Sequence, residues 1–483
     1  MPMTQQQLSI FQGYQVDVFF DEMMRKDGSI REHYQFLYQY FKKQSFTQLQ
    51  ERQKYIEKML MSLGITFNVY HENEGQERIF PFDFIPRIIP HHEFQKIEKG
   101  IAQRITALNA FLDDVYHDQK ILKDNVIPTQ LVLESKGFLP QCMGLNPPKG
   151  IWCHISGIDL VRNQDREYVV LEDNLRCPSG VAYVLENREI MKRAFASLLD
   201  QYNLKHVSNY PYQLQELLHD IAVNDQQTSV LLTPGIYNSA YFEHAFLARQ
   251  MGIQLVQPKD LMVSDGYVKM KTTSGLQRVD AIYRRIDDVF LDPKVFRSDS
   301  LLGIPGLFDV YKKGRVSLLN APGTGVADDK VIYAFVPKMI QYYLAETPIL
   351  NNVETYICAI EKDLTYVKDH LHELVVKSAN EAGGYGMLIG PHSSKKEQDE
   401  FRALIQANPR NYIAQPTLQF SRSPSFFQNS IQGRHVDLRP YTLLGKSVFV
   451  LPGGLTRVAL KKDSLVVNSS QGGGSKDTWV LSC

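Results

Sequence analysis

A β-strand, a helix and a second β-strand follow one another in the middle of the chain. The segment begins with SVLLTPG at 229 to 235, continues through NSAYFEHAFLARQMG and ends with IQLVQP at 253 to 258. Gly252 ends the predicted helix, because glycine readily adopts the left-handed conformation found there. Since a helical crossover joins parallel strands, the pattern predicts a parallel strand pair in an α/β lobe.

The last third of the chain repeats this alternation. The β-prone run HELVVKS is followed by a glycine-rich turn and by MLIGP, and a helix then begins at Ser394 with Glu397 completing a capping box. The run NYIAQP comes next. We therefore predict an α/β (α+β) fold in which a second α/β lobe follows the central one.

Helical and hairpin signals fill most of the remaining chain. Aromatic and apolar residues at helical spacing predict a helical N-terminal region between 19 and about 63. Six apolar residues, from Ile97 to Val115, step by four and three and predict one buried face of a helix. Asp265-Gly266 between two short β-prone runs predicts a hairpin.

The composition excludes several classes of protein. Lys plus Arg and Asp plus Glu both total 53, so no overall positive field favours nucleic acid or an anionic membrane as a partner. The five cysteines contain no CxxC pair, which argues against a disulfide framework or a zinc site. Without a signal-like N-terminus or a membrane-length apolar run, we expect a soluble cytoplasmic protein.

The segment ELVVKSANEAGGYG, at 373 to 386, is a candidate phosphate-binding turn. Lys377 ends a β-run, and Gly383, Gly384 and Gly386 leave backbone N–H groups unhindered, as a polyphosphate requires. The lysine precedes the glycines, so this is not a Walker A loop. Taken alone, a glycine-rich turn of this kind is more often a plain hairpin.

A second lysine follows another turn, in NAPGTGVADDK at 320 to 330. We predict a helix whose early turns contain Asp328, Asp329 and Lys330. Acids near a helix N-terminus complement the helix dipole without any further role. Lys330, however, could also reach a phosphate.

The stretch LEDNLRCPSG, at 171 to 180, places polar residues at the end of an apolar strand. In an extended strand Glu172 and Asn174 project to one face and Asp173 to the other. One carboxylate and one amide oxygen on the same face suit magnesium held jointly with nucleotide phosphates. The simpler alternative is a strand end that becomes polar where it reaches solvent.

Eight segments in order resemble the circularly permuted ATP-grasp proteins, a group similar to glutathionylspermidine synthetase and to eukaryotic-type glutathione synthetase. They are Glu172-x-Asn174 with the following RCPSG, YRRIDD, GTGVADDK, VVKSANEAGGYG, YIAQP, HVDLRPY, GGLTRVAL and SSQGGGSKDTW. The metal-binding strand precedes both lysines, which is the permuted order. The resemblance covers roughly residues 80 to 483.

This resemblance implies specific roles for the matching residues. Glu172, Asn174 and Glu381 would bind Mg²⁺, and Lys330 and Lys377 would contact the phosphates of ATP. Gly383, Gly384 and Gly386 would form a flap over the phosphates, and the strand around Gln415 would meet the adenine. The residues placed where family members bind a substrate carboxylate or the transferring phosphoryl group are Arg176, Ser179, Arg285 and Arg439.

Two positions remain open at this stage. Arg284 and Arg285 are adjacent in a probable strand and should face opposite ways, so at most one lines the site, and we choose Arg285. For either arginine an ion pair with Asp287 or Asp288 is an equally good explanation. Asp437 could be a metal ligand or could orient Arg439.

The resemblance implies ATP-dependent joining of a carboxylate to an amine through an acylphosphate, with an amino acid, small peptide or polyamine as substrate. Cys177 has no evident base nearby and is interpreted as a packing residue. The alternatives are a catalytically silent nucleotide-binding or interaction protein and an ATP-dependent phosphotransferase.

The expected domains are a helical N-terminal region (1–78), an ATP-grasp part with the metal-binding strand (79–225), a substrate-side α/β lobe (226–325) and a nucleotide-binding lobe with the flap (326–483). The sequence selects neither the two substrates nor an oligomeric state.

Overall fold

The structure is a computed structural model that describes residues 10–11, 13–71, 74–224, 228–380, 386–427, 430–461, 464–465, 467 and 473–483. The α-helices are α1 (Gln35–Lys42), α2 (Phe46–Ser62), α3 (His91–Tyr116), α4 (Lys120–Lys123), α5 (Thr129–Leu133), α6 (Val181–Ala194), α7 (Ala196–Leu199), α8 (Tyr210–Ile221), α9 (Tyr241–Met251), α10 (Leu307–Lys312), α11 (Gly325–Asp328), α12 (Lys330–Tyr333), α13 (Val336–Met339), α14 (Glu361–Asp369) and α15 (Lys395–Ala407).

The strands are β1 (Thr66–His71), β2 (Glu74–Ile79), β3 (Phe82–Ile89), β4 (Ile155–Arg162), β5 (Tyr168–Asn174), β6 (Ser229–Leu232), β7 (Gln254–Val256), β8 (Leu261–Ser264), β9 (Tyr267–Thr272), β10 (Gly275–Arg278), β11 (Ala281–Arg284), β12 (Ser317–Leu319), β13 (Tyr356–Ile357), β14 (Leu374–Ser378), β15 (Leu388–Ile389), β16 (Tyr412–Pro416), β17 (Arg422–Phe427), β18 (Ser430–His435), β19 (Tyr441–Leu444), β20 (Val448–Val450), β21 (Thr456–Val458) and β22 (Gly474–Val480). The mixture of helices and sheets confirms the predicted α/β (α+β) class.

The central lobe is built on a parallel sheet of order β12-β11-β6-β7. Its β6, α9 and β7 are the predicted strand, helix and strand, and Gly252 ends α9 with a φ of +65°. The predicted hairpin is also present, since β8 and β9 pair antiparallel around Asp265 and Gly266. The carboxyl end of β11 lies beside the segment that follows β5, since Arg285 donates to the Pro178 carbonyl at 2.7 Å.

The strand that carries Glu172 and Asn174 belongs to an antiparallel sheet of order β20-β19-β4-β5. The strands β4 and β5 come from the first half of the chain, and β19 and β20 come from its last tenth.

The predicted helix is confirmed as α3, and its six apolar positions, from Ile97 to Val115, are all buried. This helix therefore lies in the core.

A second antiparallel sheet, of order β13-β16-β14-β15, carries Lys377 on β14 and Gln415 on β16. Helix α15 begins after Ser394, whose hydroxyl accepts from the Glu397 N–H at 3.3 Å, and the capping box is complete. These elements confirm the alternation predicted for the last third of the chain.

The two ends of the chain meet in a three-stranded sheet, where β22 pairs parallel with β3 and antiparallel with β21. Lys476 on β22 is fully buried and binds Asp83 on β3, and its ammonium also donates to the carbonyls of Ile85 and Pro424 at 2.9 Å each. A buried ammonium is tolerated only when it is paired in this way.

Two segments differ from the sequence-based expectation. The N-terminal region contains the predicted helices α1 and α2, but it continues into the antiparallel pair β1 and β2. The helix expected after NAPGTG is broken at Asp329, which adopts an extended conformation and accepts a hydrogen bond from the Val331 N–H at 2.9 Å. Asp329 is thus an N-cap, a role that aspartate prefers over a helix interior.

Candidate active site

Glu172 and Asn174 lie at the end of β5, beside β4. In the antiparallel register Glu172 faces Asp159 and Asn174 faces Gly157, and the register shifts just before Glu172, where Leu171 has no partner on β4. Irregularities of this kind re-aim neighbouring side chains and are frequent beside active sites. Asn174 Nδ2 donates to the Gly157 carbonyl at 3.2 Å, which turns the amide oxygen away from the strand pair.

Asp173 points the other way, as the alternation of a strand predicts. Its two carboxylate oxygens accept from Arg104 Nε and Nη2 at 2.6 Å each, inside the core. Asp173 therefore anchors β5 to α3 and leaves Glu172 as the acid on the open face.

Two lysines from separate elements approach Glu172. Lys330 Nζ lies 3.6 Å from Glu172 Oε2, and Lys377 Nζ donates to Gln415 Oε1 at 2.7 Å. The Lys330 N–H also donates to the Ala379 carbonyl at 3.0 Å, which joins α12 to the end of β14. Burial lowers the pKa of Lys377 to about 8, against the attraction of Glu172 and together with the repulsion of Lys330.

Gln415 holds Lys377 in place. It is buried on β16, opposite Val375 of β14, and its Nε2 donates to Thr355 Oγ1 at 3.1 Å while its oxygen accepts from the lysine. The side chain thus orients a cation, and the contact of this strand with adenine stays a prediction.

Arg176, predicted to meet a substrate or phosphoryl group, is bound to acids of the protein. Its Nε donates to Asp328 Oδ2 at 2.6 Å, and its Nη1 lies 3.7 Å from Asp287 Oδ1. Asp328 Oδ1 also accepts the backbone N–H groups of Leu175 and Arg176. Asp328 raises the pKa of Arg176 despite burial, so the guanidinium stays charged and ties the segment after β5 to α11.

Arg284 and Arg285 are both buried, and both bind the protein itself. Arg285 donates to the Pro178 carbonyl at 2.7 Å and to Glu243 Oε1 at 3.0 Å. Arg284 instead donates to the Asn320 carbonyl at 2.7 Å and pairs with Asp288. Both arginines therefore lie beside the RCPSG segment: Arg285 reaches the Pro178 carbonyl, and Arg284 lies near the Cys177 thiol.

Glu243, on α9 of the central lobe, completes this support and was missed by the sequence analysis. The residue is fully buried, and its Oε2 accepts the N–H groups of Gly180 at 2.7 Å and Ala182 at 3.0 Å. A buried carboxylate with an arginine partner and two backbone donors is strongly held. Glu243 and Arg285 together fix the course of the chain from Pro178 to Ala182.

Gly180 is required at its position for steric reasons. Its φ is +115°, and a Cβ there would lie 2.4 Å from Tyr441 Oη. The same Tyr441 hydroxyl donates to the Ser179 carbonyl at 2.7 Å. The Ser179 hydroxyl itself forms no hydrogen bond with the described part of the chain, so it can contact a substrate.

Arg439 lies next to Glu172, and its contact with a substrate stays a prediction. Its Nη2 is 3.7 Å from Glu172 Oε1 and donates to Asp159 Oδ2 at 2.8 Å, and its Nη1 donates to the Ser179 carbonyl at 3.4 Å. Asp437 binds Arg457, whose Nε donates to its two carboxylate oxygens at 3.0 and 2.9 Å. Both roles considered for Asp437, metal ligand and orienter of Arg439, stay predictions.

Asp159 and Arg457 are two further residues that the sequence analysis missed. Arg457 Nη2 donates to Asp159 Oδ2 at 2.6 Å, and Asp159 faces Glu172 across the β4–β5 register. Burial would raise the pKa of Asp159, but Arg439 and Arg457 outweigh burial and lower it. Asp159 is therefore a carboxylate held beside Glu172 by two guanidinium groups.

A pocket of about 220 Å³ opens over these groups. Of the predicted site residues it is lined by Glu172, Asn174, Arg176 and Lys330, and Lys136 at its mouth is a cation that the sequence analysis did not identify. Its other lining residues are Gly137, Asp173, Val289, Gly325, Asp328, Asp329 and Asn380. Five other predicted residues surround the site without lining this pocket: Ser179, Arg285, Arg439, Lys377 and Gln415.

The flap residues belong largely to the part of the chain that is not described. Glu381, Gly383 and Gly384 lie outside the described residues, and Gly386 has a φ of +63°, which suits glycine in a tight turn.

Cys177 is a free cysteine near Arg284, and burial raises the pKa of its thiol. A thiol with a raised pKa is a poor nucleophile.

The oxygen ligands at the end of β5 suit Mg²⁺. Glu172 supplies a carboxylate, Asn174 an amide oxygen that no described residue contacts, and Asp159 a second carboxylate close by. The described residues contain no group of three His, Cys, Asp or Glu side chains arranged around one point for a metal. A metal here would thus depend on the amide, on Glu381 or on nucleotide phosphates for its remaining ligands.

Comparison with known proteins gives consistent results. The family model described as circularly permuted ATP-grasp type 2 matches residues 86–459. Uncharacterized protein sll0335 of Synechocystis sp. is 56% identical over 97% of this chain and 98% of its own length. Uncharacterized protein Rv2411c of Mycobacterium tuberculosis is 47% identical over 98% of this chain and 86% of its own length.

Two further similarities are more distant. A Frankia alni protein with the provisional name glutamate–cysteine ligase 2-3 is 38% identical over 95% of this chain, which matches only 54% of that protein. The structure of a glutathione synthetase-like effector from Globodera pallida matches 91% of this chain and 98% of its own, with a TM-score of 0.60 and 11% identity. At that identity the likeness concerns the fold alone.

The described part of the chain contains no helix long and apolar enough to cross a bilayer.

Proposed function

Because the chain belongs to the circularly permuted ATP-grasp type 2 family, we propose that it is an ATP- and Mg²⁺-dependent ligase that joins a carboxylate to an amine. The observation that carries this proposal is that three distant segments bring charged groups around Glu172: Glu172, Asn174 and Lys330 line the pocket, and Lys377 lies beside it and is attracted by Glu172. Glu172 and Asn174 come from β5, Lys330 from α12 and Lys377 from β14, and Lys330 lies 3.6 Å from Glu172.

In this proposal the lysines bind the phosphates of ATP. Lys330 and Lys377 offset the charge that develops as the γ-phosphoryl group is transferred, and the network around Gln415 and Glu172 holds them in position beforehand. Arg439, fixed by Asp159, adds a third cation at the same place. Glu172, Asn174 and Asp159 would hold Mg²⁺, which when bound neutralises phosphate charge.

The reaction proceeds in two steps. A carboxylate oxygen of the first substrate attacks the γ-phosphorus, the bond to the bridging oxygen breaks, and ADP leaves. The amine of the second substrate then attacks the acyl carbon of the acylphosphate, loses a proton, and phosphate leaves with the electrons of the C–O bond. Neither step requires a nucleophile from the protein, which agrees with the raised pKa of Cys177.

The segment from Arg176 to Gly180 would position the first substrate. Arg285 and Glu243 brace it from the central lobe, so the Ser179 hydroxyl is presented in a fixed geometry. Placing a substrate against a rigid segment is the principal source of acceleration in this kind of chemistry. We propose Ser179 and Arg439 as contacts for the reacting groups and assign Arg285 to positioning.

The pocket volume of about 220 Å³ suits an amino-acid-sized carboxylate, with the amine reaching it from the mouth. The substrates belong to the amino acid, small peptide or polyamine class, and the Frankia relative adds glutamate and cysteine to the candidates. Since this chain matches 54% of that protein, the named activity could reside in its other part.

The test is ADP release from Mg-ATP by the purified chain with pooled amino acids, small peptides and polyamines, followed by mass analysis of the products. A ligase releases ADP and phosphate and forms an amide only when both acceptors are present. A phosphorylated product without an amide would identify a phosphotransferase. Binding of ATP without turnover under every combination would identify a silent nucleotide-binding protein and refute the proposal.

A further inference from the structure

An open hollow of about 520 Å³ lies away from the pocket described above, and we call it the N-terminal hollow. It is formed by part of the segment from Val16 to Arg31 and by the turn Gln164 to Arg166, which joins β4 to β5. None of its lining residues lines the candidate active site.

Four cations line the N-terminal hollow: Arg25, Lys26, Arg31 and Arg166. None of the four forms an ion pair within the described ranges of the chain. This differs from other exposed parts of the protein, where lysines and arginines pair with nearby acids. Arg25 donates instead to Ser29 Oγ and to the Ile30 carbonyl at 3.2 Å each.

The arginines are gathered around one aromatic ring. The guanidinium carbons of Arg31 and Arg166 lie 4.3 and 5.8 Å from the centre of the Phe20 ring, and that of Arg162, below the hollow, lies 4.5 Å away. Arginine stacks on aromatic faces, which restrains the side chain while its N–H groups remain able to donate.

Internal contacts fix these groups further. Arg162 pairs with Glu22 and Glu93, and its Nε donates to the Arg166 carbonyl at 3.1 Å. Arg31 Nε donates to the Asp21 carbonyl at 3.1 Å. Donors that are already ordered lose little conformational entropy when an anion binds.

The acids of the N-terminal hollow are largely engaged elsewhere. Asp21 accepts from the N–H groups of Met23 and Met24 and from the Tyr14 hydroxyl. Asp27 accepts from the Ser29 N–H and hydroxyl. The third acid, Asp165, lies exposed on the turn.

The local charge around Arg31 is positive. Burial lowers the pKa of Arg31, and Arg162, Arg166 and Arg25 lower it further, whereas Glu22 is the acid that opposes them. Gathering like charges around one point costs free energy that a bound anion recovers. The fork of an arginine matches the oxygens of a phosphate, and several arginines together suit its multiple charges.

From the guanidinium groups of Arg31 and Arg166, which stack on Phe20 and form no ion pair with the described residues, we propose that the N-terminal hollow binds a small molecule through a phosphate group. The site is separate from the ATP pocket, although β4 connects the two: Arg162 lies three residues beyond Asp159 on the same strand.

Calorimetric titration with inorganic pyrophosphate tests this proposal. The full chain should bind it without magnesium, and the binding should persist in the Lys330→Ala/Lys377→Ala variant, in which the proposed nucleotide site is disabled. Arg166→Glu should weaken the binding at least tenfold in both backgrounds, and Arg31→Gln should do so as well. Arg166 is exposed, so its substitution leaves the core intact.

The matched control is Lys313→Ala/Lys396→Ala, which removes two exposed cations from other helices and should leave pyrophosphate binding unchanged. The proposal is overturned if pyrophosphate fails to bind, if Arg166→Glu binds it as well as the unchanged chain, or if the control loses the same affinity. It is also overturned if a glutamate hexapeptide binds there and pyrophosphate does not, because the hollow would then accept an acidic segment.

Discussion

The proposed phosphate contact of Lys377 predicts that the affinity for Mg-ATP depends on pH. Lys377 has a pKa of about 8, mainly because it is buried. A phosphate bound next to the ammonium would favour the charged form and raise this pKa. Binding would therefore require a protonated lysine, which is present below pH 8 and is progressively lost above it.

The magnitude follows from this pKa. Below about pH 7 nearly all molecules carry the charge and affinity is independent of this group, whereas at about pH 9.5 only about one molecule in 30 carries it. If the pKa in the complex exceeds that pH, affinity should fall about 30-fold between the two conditions, equivalent to about 2 kcal/mol.

Calorimetry with a non-hydrolysable ATP analogue and Mg²⁺ measures both affinity and proton uptake. Titrations at pH 8 in buffers of different ionisation enthalpy should show uptake of about half a proton per site, because about half of the lysine is neutral there. Lys377→Arg is the matched control, since arginine stays charged throughout and should remove both the uptake and the decline.

Two results would refute this reasoning. An affinity that is constant from pH 7 to pH 9.5 would show that Lys377 does not contact the nucleotide. An equal decline in Lys377→Arg would assign the pH dependence to another group.

Three further outcomes are expected. Glu172→Gln should abolish turnover of Mg-ATP with an unchanged circular dichroism spectrum, because it removes a charge at the pocket and leaves the core alone; normal turnover would remove Glu172 from the site. Gly180→Ala should destabilise the protein by about 2 kcal/mol or more, since its Cβ would meet a tyrosine hydroxyl at 2.4 Å in a left-handed conformation. Urea unfolding measures this loss, and Gly64→Ala is the matched control. Gly64 has a φ of +65° and no atom within 4 Å of the added Cβ, so its substitution should cost only about 1 kcal/mol. Equal losses in the two variants would contradict the steric argument. Cys177→Ser should retain turnover, as should the enzyme after brief iodoacetamide treatment, and loss of turnover in the serine variant would point to a thiol mechanism.

The parts of the fold that the sequence predicted are those with local causes. The central β6-α9-β7 unit, the hairpin at Asp265-Gly266 and the capping box at Ser394 each depend on residues within a few positions of one another. The break at Asp329 was also readable in principle, because an aspartate followed by a short apolar run is an N-cap signal. Because the neighbours of Asp329 are also charged, one acidic and one basic, the sequence analysis did not recognise this residue as an N-cap.

The missed residues depend on distant pairings. Asp159 is an acid in a strand of its own, and only the antiparallel register of β4 and β5 places it opposite Glu172. Glu243 looks like a helix residue near an N-terminus, yet it supports a segment about 60 positions earlier in the chain. No local pattern distinguishes such an acid from a solvent-exposed one, so only the three-dimensional structure identifies it.

The residues of the candidate site also divide into those that the sequence selected correctly for the pocket lining and those whose partners only the fold shows. Glu172, Asn174 and Lys330, which the resemblance selected, line one pocket, while their roles toward Mg²⁺ and ATP stay predictions. Arg176 and Arg285 were expected to meet a substrate, but their charges are matched by Asp328 and Glu243. An arginine in a motif gives no indication of whether its partner is a ligand or another residue of the protein.

The parallel pairing of β3 with β22 has a consequence for synthesis on the ribosome. Asp83 emerges nearly 400 residues before Lys476, its buried partner, and Asp173 and Glu172 emerge long before Lys330 and Lys377. The nascent chain must therefore keep β3 without its sheet partner until β22 has been synthesised. We expect fragments that stop before β22 to be substrates for chaperones and proteases.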